Sequence, residues 1–139
     1  GNPDAVKALG TIKNNIDSGT FKAIQDAATV AFDIDGKYID DLNKMYQERR
    51  DAAEEGFREL GWTVKPSKAT FYLWLPVPKG MTSEQFVTKM LEEAHVVVPS
   101  GRGYGKYGEG YFRVALTKDV DTIKECIRRM KEAGITNSI

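Results

Sequence analysis

The feature that most constrains this chain is the amphipathic run from Tyr38 to Gly61. Ile39, Leu42, Tyr46, Ala53, Phe57 and Leu60 recur at helical spacing, so they share one face of a single helix. At about 1.5 Å per residue such a helix runs the length of a small domain. Gly61 is a natural stop, because glycine takes the left-handed conformation that closes a helix. A helix this long with one apolar face must bury that face against another layer.

The residues that follow supply that layer. Phe71-Tyr72-Leu73-Trp74-Leu75 is short, aromatic and bounded by prolines, which predicts a strand. Thr82-Ser83-Glu84-Gln85 matches a capping box and opens a helix through Phe86, Val87, Met90 and Leu91. Val96-Val97-Val98 reads as a short buried strand ending at Pro99. A glycine-rich connection runs from Ser100 to Gly110, and Tyr111 to Leu116 is a further strand. A last helix carries Val120, Ile123, Ile127 and Met130 and closes near Gly134. Upstream of the long helix, Asn2 caps a helix with Pro3 at its first position and Val6, Leu9 and Ile12 in its apolar stripe. Asn14 to Gly19 reads as a loop. A second helix follows, with Ser18 or Thr20 as its cap and Phe21, Ile24, Ala27, Ala28 and Ala31 on one side. The expected fold is α+β: helices packed on a small, largely antiparallel three-stranded sheet.

Charge narrows the function classes. Lys and Arg number 20 and Asp and Glu number 20. That balance argues against nucleic acid, whose phosphates demand a basic surface. No apolar run is long enough to span a bilayer, so no membrane partner is expected. The single cysteine, Cys126, allows no internal disulfide, which fits a reducing compartment such as the cytoplasm. With His95 the only histidine, no metal site is expected.

Four motifs invite chemistry and fail on context. Gly103-Tyr104-Gly105-Lys106-Tyr107-Gly108 has the G-x-G-x-x-G spacing. A dinucleotide fingerprint needs a strand before it and a helix after it, whereas here a strand follows; a flexible connection is expected. Asp33-Ile34-Asp35-Gly36 with Asp40 and Asp41 hints at calcium, but the twelfth position of an EF-hand loop is Lys44, not Glu. Ser67-Lys68 resembles a Schiff-base pair, yet it follows Pro66 in a turn. His95, at a helix end with no nucleophile nearby, reads as a capping or packing residue.

Arg113 remains. Alternation puts Phe112, Val114 and Leu116 on one strand face and Tyr111, Arg113 and Ala115 on the other. An arginine within an apolar strand needs a carboxylate or water. Two readings stand: an exposed or salt-bridged structural arginine, the commoner outcome, or a fork that grips a ligand carboxylate through two parallel hydrogen bonds.

The residues around Arg113 carry a resemblance. Val97-Val98-Pro99-Ser100-Gly101, followed by Tyr104-Gly105-Lys106-Tyr107-Gly108-Glu109-Gly110-Tyr111-Phe112-Arg113-Val114-Ala115-Leu116, resembles the carboxy-terminal motif of class I/II aminotransferases of the aspartate-aminotransferase fold. Ala69-Thr70-Phe71-Tyr72-Leu73-Trp74 with Pro76 and Pro78 is similar to LL-diaminopimelate, aspartate and alanine aminotransferases. Asn2-Pro3 resembles the step after that family's lysine-bearing segment. There are two departures: Ser100-Gly101 stands where the family has Pro-Gly adjacency, and Tyr104 stands for the usual Phe.

The resemblance implies that Arg113 binds the substrate α-carboxylate, and it places Ser18 near cofactor or substrate, with a plain capping role as the alternative. It implies a carboxy-terminal part of an enzyme that uses pyridoxal 5'-phosphate (PLP) to move an amino group from an amino acid to a 2-oxo acid. Residues 1–36 would be the tail of the large PLP-binding domain and 37–139 the small domain, in a parent that is a homodimer. The family's Schiff-base lysine, its pyridine-nitrogen aspartate and its ring-stacking aromatic match nothing in this sequence. This chain alone is therefore expected to hold no cofactor, to carry no catalytic residue and to be inactive. The rival expectation is a stand-alone, non-catalytic α+β module that binds a carboxylate ligand.

Overall fold

A computed structural model describes residues 1–137. The order is α1 (Pro3–Ile16), α2 (Lys22–Phe32), α3 (Gly36–Glu59), β1 (Tyr72–Pro76), α4 (Ser83–Ala94), two 3-10 turns (Gly101–Tyr104 and Lys106–Gly108), β2 (Tyr111–Ala115) and α5 (Val120–Glu132). The chain divides into two compact units, Gly1–Ile39 and Asp40–Ile139, with the division in the first turn of α3.

The first unit holds α1 and α2. Asn2 caps α1 as its sequence predicts: its side-chain oxygen accepts from the amides of Asp4 (2.9 Å) and Ala5 (3.2 Å). Helix α1 runs on to Ile16, three residues into the expected loop. Neither Ser18 nor Thr20 caps α2. The cap is Phe21, with no side-chain hydrogen bond; the carbonyl of Thr20 instead accepts from the Gln25 side chain. No residue of either helix is buried, and Val6, Leu9 and Ile12 are 61%, 64% and 56% exposed.

The second unit is built around a two-stranded antiparallel sheet whose inner face meets three helices. β1 and β2 pair antiparallel, with Trp74 opposite Arg113 and Leu75 opposite Phe112. Leu73, Leu75, Phe112 and Leu116 point inward and are buried. Phe57 from α3, Trp62, Phe86 from α4 and Phe112 form one aromatic cluster, with ring centroids 4.9–6.2 Å apart. α5 closes the core with Ile123, Ile127 and Met130. It crosses α3 closely because Gly56 has no side chain: a Cβ there would lie 2.4 Å from Ile127 Cγ1.

Helix ends follow their local chemistry. Gly61 has φ +93°, and the Trp62 amide returns to the Phe57 carbonyl at 2.9 Å. Thr82 and Gln85 form the full capping box of α4. His95 closes α4 in the left-handed conformation, φ +55°, with its amide on the carbonyls of Leu91 and Met90. The expected sheet of three strands is corrected to two. Val96 spends its amide on the Met90 carbonyl in closing α4, Val97 is 80% exposed, and Pro99 has no amide to give. Among the described residues, the backbone links of this segment to β2 are the Ser100–Phe112 bridge and an Arg113 amide to the Pro99 carbonyl (3.1 Å). No helix among the described residues is long and apolar enough to cross a membrane.

Candidate functional site

The glycine-rich stretch, expected to be a flexible connection, is a compact fold of its own. Its two 3-10 turns lie back to back: a Cβ on Gly101 would sit 2.2 Å from the Gly108 carbonyl oxygen, and one on Gly108 would sit 1.9 Å from that of Gly101. Backbone meets backbone, so only glycine fits at these two positions. Gly105 (φ +111°) and Gly110 (φ +84°) supply the reversals that return the chain to the sheet. The glycine spacing thus serves backbone packing.

This folded turn is fastened to the start of α4. The Ser83 hydroxyl, fully buried, accepts from the amides of Gly110 (2.8 Å) and Tyr111 (3.1 Å). In return the Ser83 amide, an orphan donor of the first helical turn, donates to the Glu109 carboxylate at 2.9 Å. β2 therefore leaves the turn in a fixed direction, and that direction sets Arg113.

On the outer face of the strand pair the side chains form a continuous array. The twist of the paired strands brings diagonal neighbours together. Tyr72 meets Arg113, with the guanidinium carbon 4.1 Å from the ring centroid, and Trp74 stacks on Tyr111 at 5.8 Å and 20°. Tyr104, delivered by the first 3-10 turn, lies 4.6 Å from the same guanidinium carbon and edge-on to Trp74 at 5.7 Å. Arg113 Nε is buried and has no hydrogen-bond partner. Among the described residues no carboxylate pairs with this arginine. A buried guanidinium donor without an acceptor is costly and uncommon.

The approach to β1 is held from α3. Glu54, 4% exposed, accepts from the Ser67 amide (2.9 Å) and from Arg58 (2.7 Å), while Arg50 donates to the Ser67 carbonyl at 3.2 Å. Thr70 then adopts φ +68°, an uncommon conformation for a β-branched residue, and its hydroxyl accepts from the Tyr72 amide at 3.2 Å. Lys68 sits in this extended approach and lines a polar hollow with Asn43, Tyr46 and Arg50. Behind the sheet, Met90, Val98, Val114, Ile123, Cys126 and Ile127 line an apolar hollow of about 210 Å³, which Arg113 also borders. Burial there pushes the Cys126 thiol up from its ordinary pKa, so it packs as a neutral group.

Of the residues singled out from sequence, Arg113 stands on β2 within this array, and Ser18 lies in the exposed bend between α1 and α2. Sequence reasoning missed Tyr72, Tyr104, Ser83 and Glu54. Alternation along β1 signals Tyr72, which shares a face with Trp74; Ser83 was legible only as the first residue of a capped helix.

Sequence comparison defines the class of protein to which this α+β unit and its arginine belong: the chain is a member of the class I and II aminotransferases, whose family model matches residues 1–130. Its relatives include LL-diaminopimelate aminotransferases. The chain is 50% identical over 135 residues to LL-diaminopimelate aminotransferase 2 of Nostoc sp., covering 97% of this chain and 35% of that protein. It is 47% identical over 131 residues to LL-diaminopimelate aminotransferase of Moorella thermoacetica, covering 94% and 34%. Among solved structures, substrate-bound BacF of Bacillus subtilis superposes with a TM-score of 0.82 at 30% identity, covering 100% of this chain and 36% of that one. The L,L-diaminopimelate aminotransferase of Chlamydomonas reinhardtii superposes with a TM-score of 0.63 at 32% identity, covering 70% and 24%. The chain thus spans about a third of the length of the curated relatives it matches.

Proposed function

We propose that this chain is the carboxy-terminal portion of a PLP-dependent aminotransferase, and that Arg113 binds the α-carboxylate of the amino acid or 2-oxo acid substrate. The observation that carries this reading is the buried, unpartnered Nε of Arg113 on a strand face otherwise built of aromatic rings. A carboxylate matches the arginine fork in shape and charge and supplies the missing acceptor. Such a grip fixes the substrate's orientation before its Cα–H bond is broken. The curated relatives support a diaminopimelate-type amino donor.

PLP, when bound, supplies the electron sink for the amino transfer. It requires an imine-forming lysine, an acid at its ring nitrogen and a phosphate cradle. The array around Arg113 offers a carboxylate fork and none of these, so the cofactor is assigned to the rest of the parent, and this portion alone is inactive. In this reading residues 1–36 are the tail of the large domain, and the exposed stripe of Val6, Leu9 and Ile12 is covered there. Residues 37–139 are the small domain of a cytoplasmic homodimer. Ser18 is assigned a place near cofactor or substrate.

The test is Arg113→Lys in the full-length parent. Lysine keeps the charge and loses the fork, so kcat/KM is expected to fall by about two orders of magnitude or more, on the loss of a charged, bidentate hydrogen-bond pair. An unchanged circular dichroism spectrum with near-normal turnover would remove Arg113 from this role. The separate core of residues 40–139 favours a second reading, a stand-alone carboxylate-binding module. Binding of a simple 2-oxo acid by the 139-residue chain alone, lost in Arg113→Ala, would select it.

A further inference from the structure

We propose that Tyr72 and Tyr104 are positioning residues for Arg113: their rings hold the guanidinium where another protein would use an acidic side chain, and so keep its hydrogen-bonding edge available to a ligand carboxylate. This inference rests on the function proposed for Arg113 above. The two rings stand 4.1 Å and 4.6 Å from the guanidinium carbon, well inside the range of cation–π attraction. The N–H donors of a guanidinium lie in its plane, so contact with ring faces leaves them unspent. An aspartate or glutamate partner would hold the group equally well but would occupy the donors that a substrate needs. It would also cancel the charge that attracts it.

The two rings arrive by independent routes, and each route depends on features already described. Tyr72 comes across the diagonal of the strand pair, after the left-handed residue Thr70. Tyr104 comes from the first 3-10 turn, whose position depends on the close approach of Gly101 and Gly108. Trp74 then braces Tyr104 edge-on and stacks on Tyr111. The guanidinium is therefore held from both strands and from the glycine turn at once.

The test uses the complete, cofactor-loaded protein that carries this segment. Four variants are compared: Tyr104→Phe, Tyr104→Leu, Tyr72→Leu and Arg113→Ala. Tyr104 is 50% exposed, so its replacement by leucine leaves the core intact, and a melting curve checks this. Two quantities are read: the equilibrium dissociation constant for 2-oxoglutarate by calorimetry, and KM against kcat for the amino donor. Phenylalanine keeps the ring and is expected to bind within about twofold of the parent, while leucine at either position weakens binding about threefold to thirtyfold, the span of a partly desolvated cation–π contact. The loss falls mainly on KM. In an Arg113→Ala background, Tyr104→Leu is expected to have no further effect.

Each result decides between readings. Unchanged binding in Arg113→Ala overturns the assigned role of Arg113 itself. Weak binding in Arg113→Ala together with parental binding in both leucine variants overturns only the ring clamp. Equal losses in Tyr104→Phe and Tyr104→Leu overturn it as well, because the hydroxyl rather than the ring would then matter. So does an undiminished effect of Tyr104→Leu when Arg113 is already absent.

Discussion

Alanine at Gly108 is expected to dismantle the glycine turn. A Cβ there would stand 1.9 Å from the Gly101 carbonyl oxygen and 2.5 Å from its carbonyl carbon. Both atoms are backbone, so no rotamer change relieves the overlap and the two 3-10 turns must move apart. Parting them pulls Gly110 and Tyr111 from the Ser83 hydroxyl, which now accepts both amides. With an overpacking cost of about 1–3 kcal/mol and about 1 kcal/mol for each of the two hydrogen bonds lost, the second unit should lose about 3–5 kcal/mol of stability. Gly103→Ala is the control, because no atom lies within 4 Å of its Cβ and no unusual backbone angle is required; its effect should stay within about 0.5 kcal/mol. The assay is urea unfolding followed by circular dichroism and by tryptophan fluorescence, with midpoints and slopes compared. Trp74 should also report the loss of Tyr104 from its edge before global unfolding begins. Equal midpoints for Gly108→Ala and Gly103→Ala would refute the reasoning that backbone contact, rather than chain flexibility, dictates the glycines.

Three further expectations follow from the same geometry. Glu54→Ala leaves the part-buried Ser67 amide without its acceptor and should cost about 2 kcal/mol in urea unfolding, whereas Glu54→Gln, which keeps one oxygen, should cost less. Gly56→Ala gains helix propensity of about 1 kcal/mol but drives a Cβ to within 2.4 Å of Ile127 Cγ1; the clash should win, and Ile127→Ala should turn the same substitution into a stabilising one. Glu125 accepts from Arg128 and Arg129, and these bonds lower its carboxyl pKa from 4.5 to about 2. Its folded-state value is depressed, so its contribution is present above pH 4.5 and is lost as the pH falls toward 2; Glu125→Gln should flatten that part of an acid-unfolding profile, and an unaltered profile would remove the bonds from consideration.

The elements legible in the sequence were those fixed by neighbours in the chain. The Thr82–Gln85 capping box, the Asn2 cap, the Gly61 stop and the alternation of Phe112, Val114 and Leu116 all depend on residues a few positions apart, and the fold contains each of them. What failed turned on how the backbone spends its amides rather than on the side-chain pattern. Val96-Val97-Val98 looks like a strand, yet its first amide is drawn off to finish α4. The α2 cap fell on Phe21 although Ser18 and Thr20 are better local candidates. In the candidate site, Arg113 was visible as a charge in an apolar strand. Tyr72 and Tyr104 were not, since their relation to Arg113 depends on strand register and on a turn folded by backbone contact.

The fastening of the glycine turn to α4 has a consequence for how this unit opens. The amides of Gly110 and Tyr111 are bonded to a side chain 27 and 28 residues earlier in the chain. Their protons therefore cannot exchange with solvent deuterium by a local flicker of the turn; they must wait until the first turn of α4 lifts away. In a hydrogen-exchange map the turn should share the protection of that helix, so the segment that looks loosest in the sequence would exchange on the clock of its distant anchor.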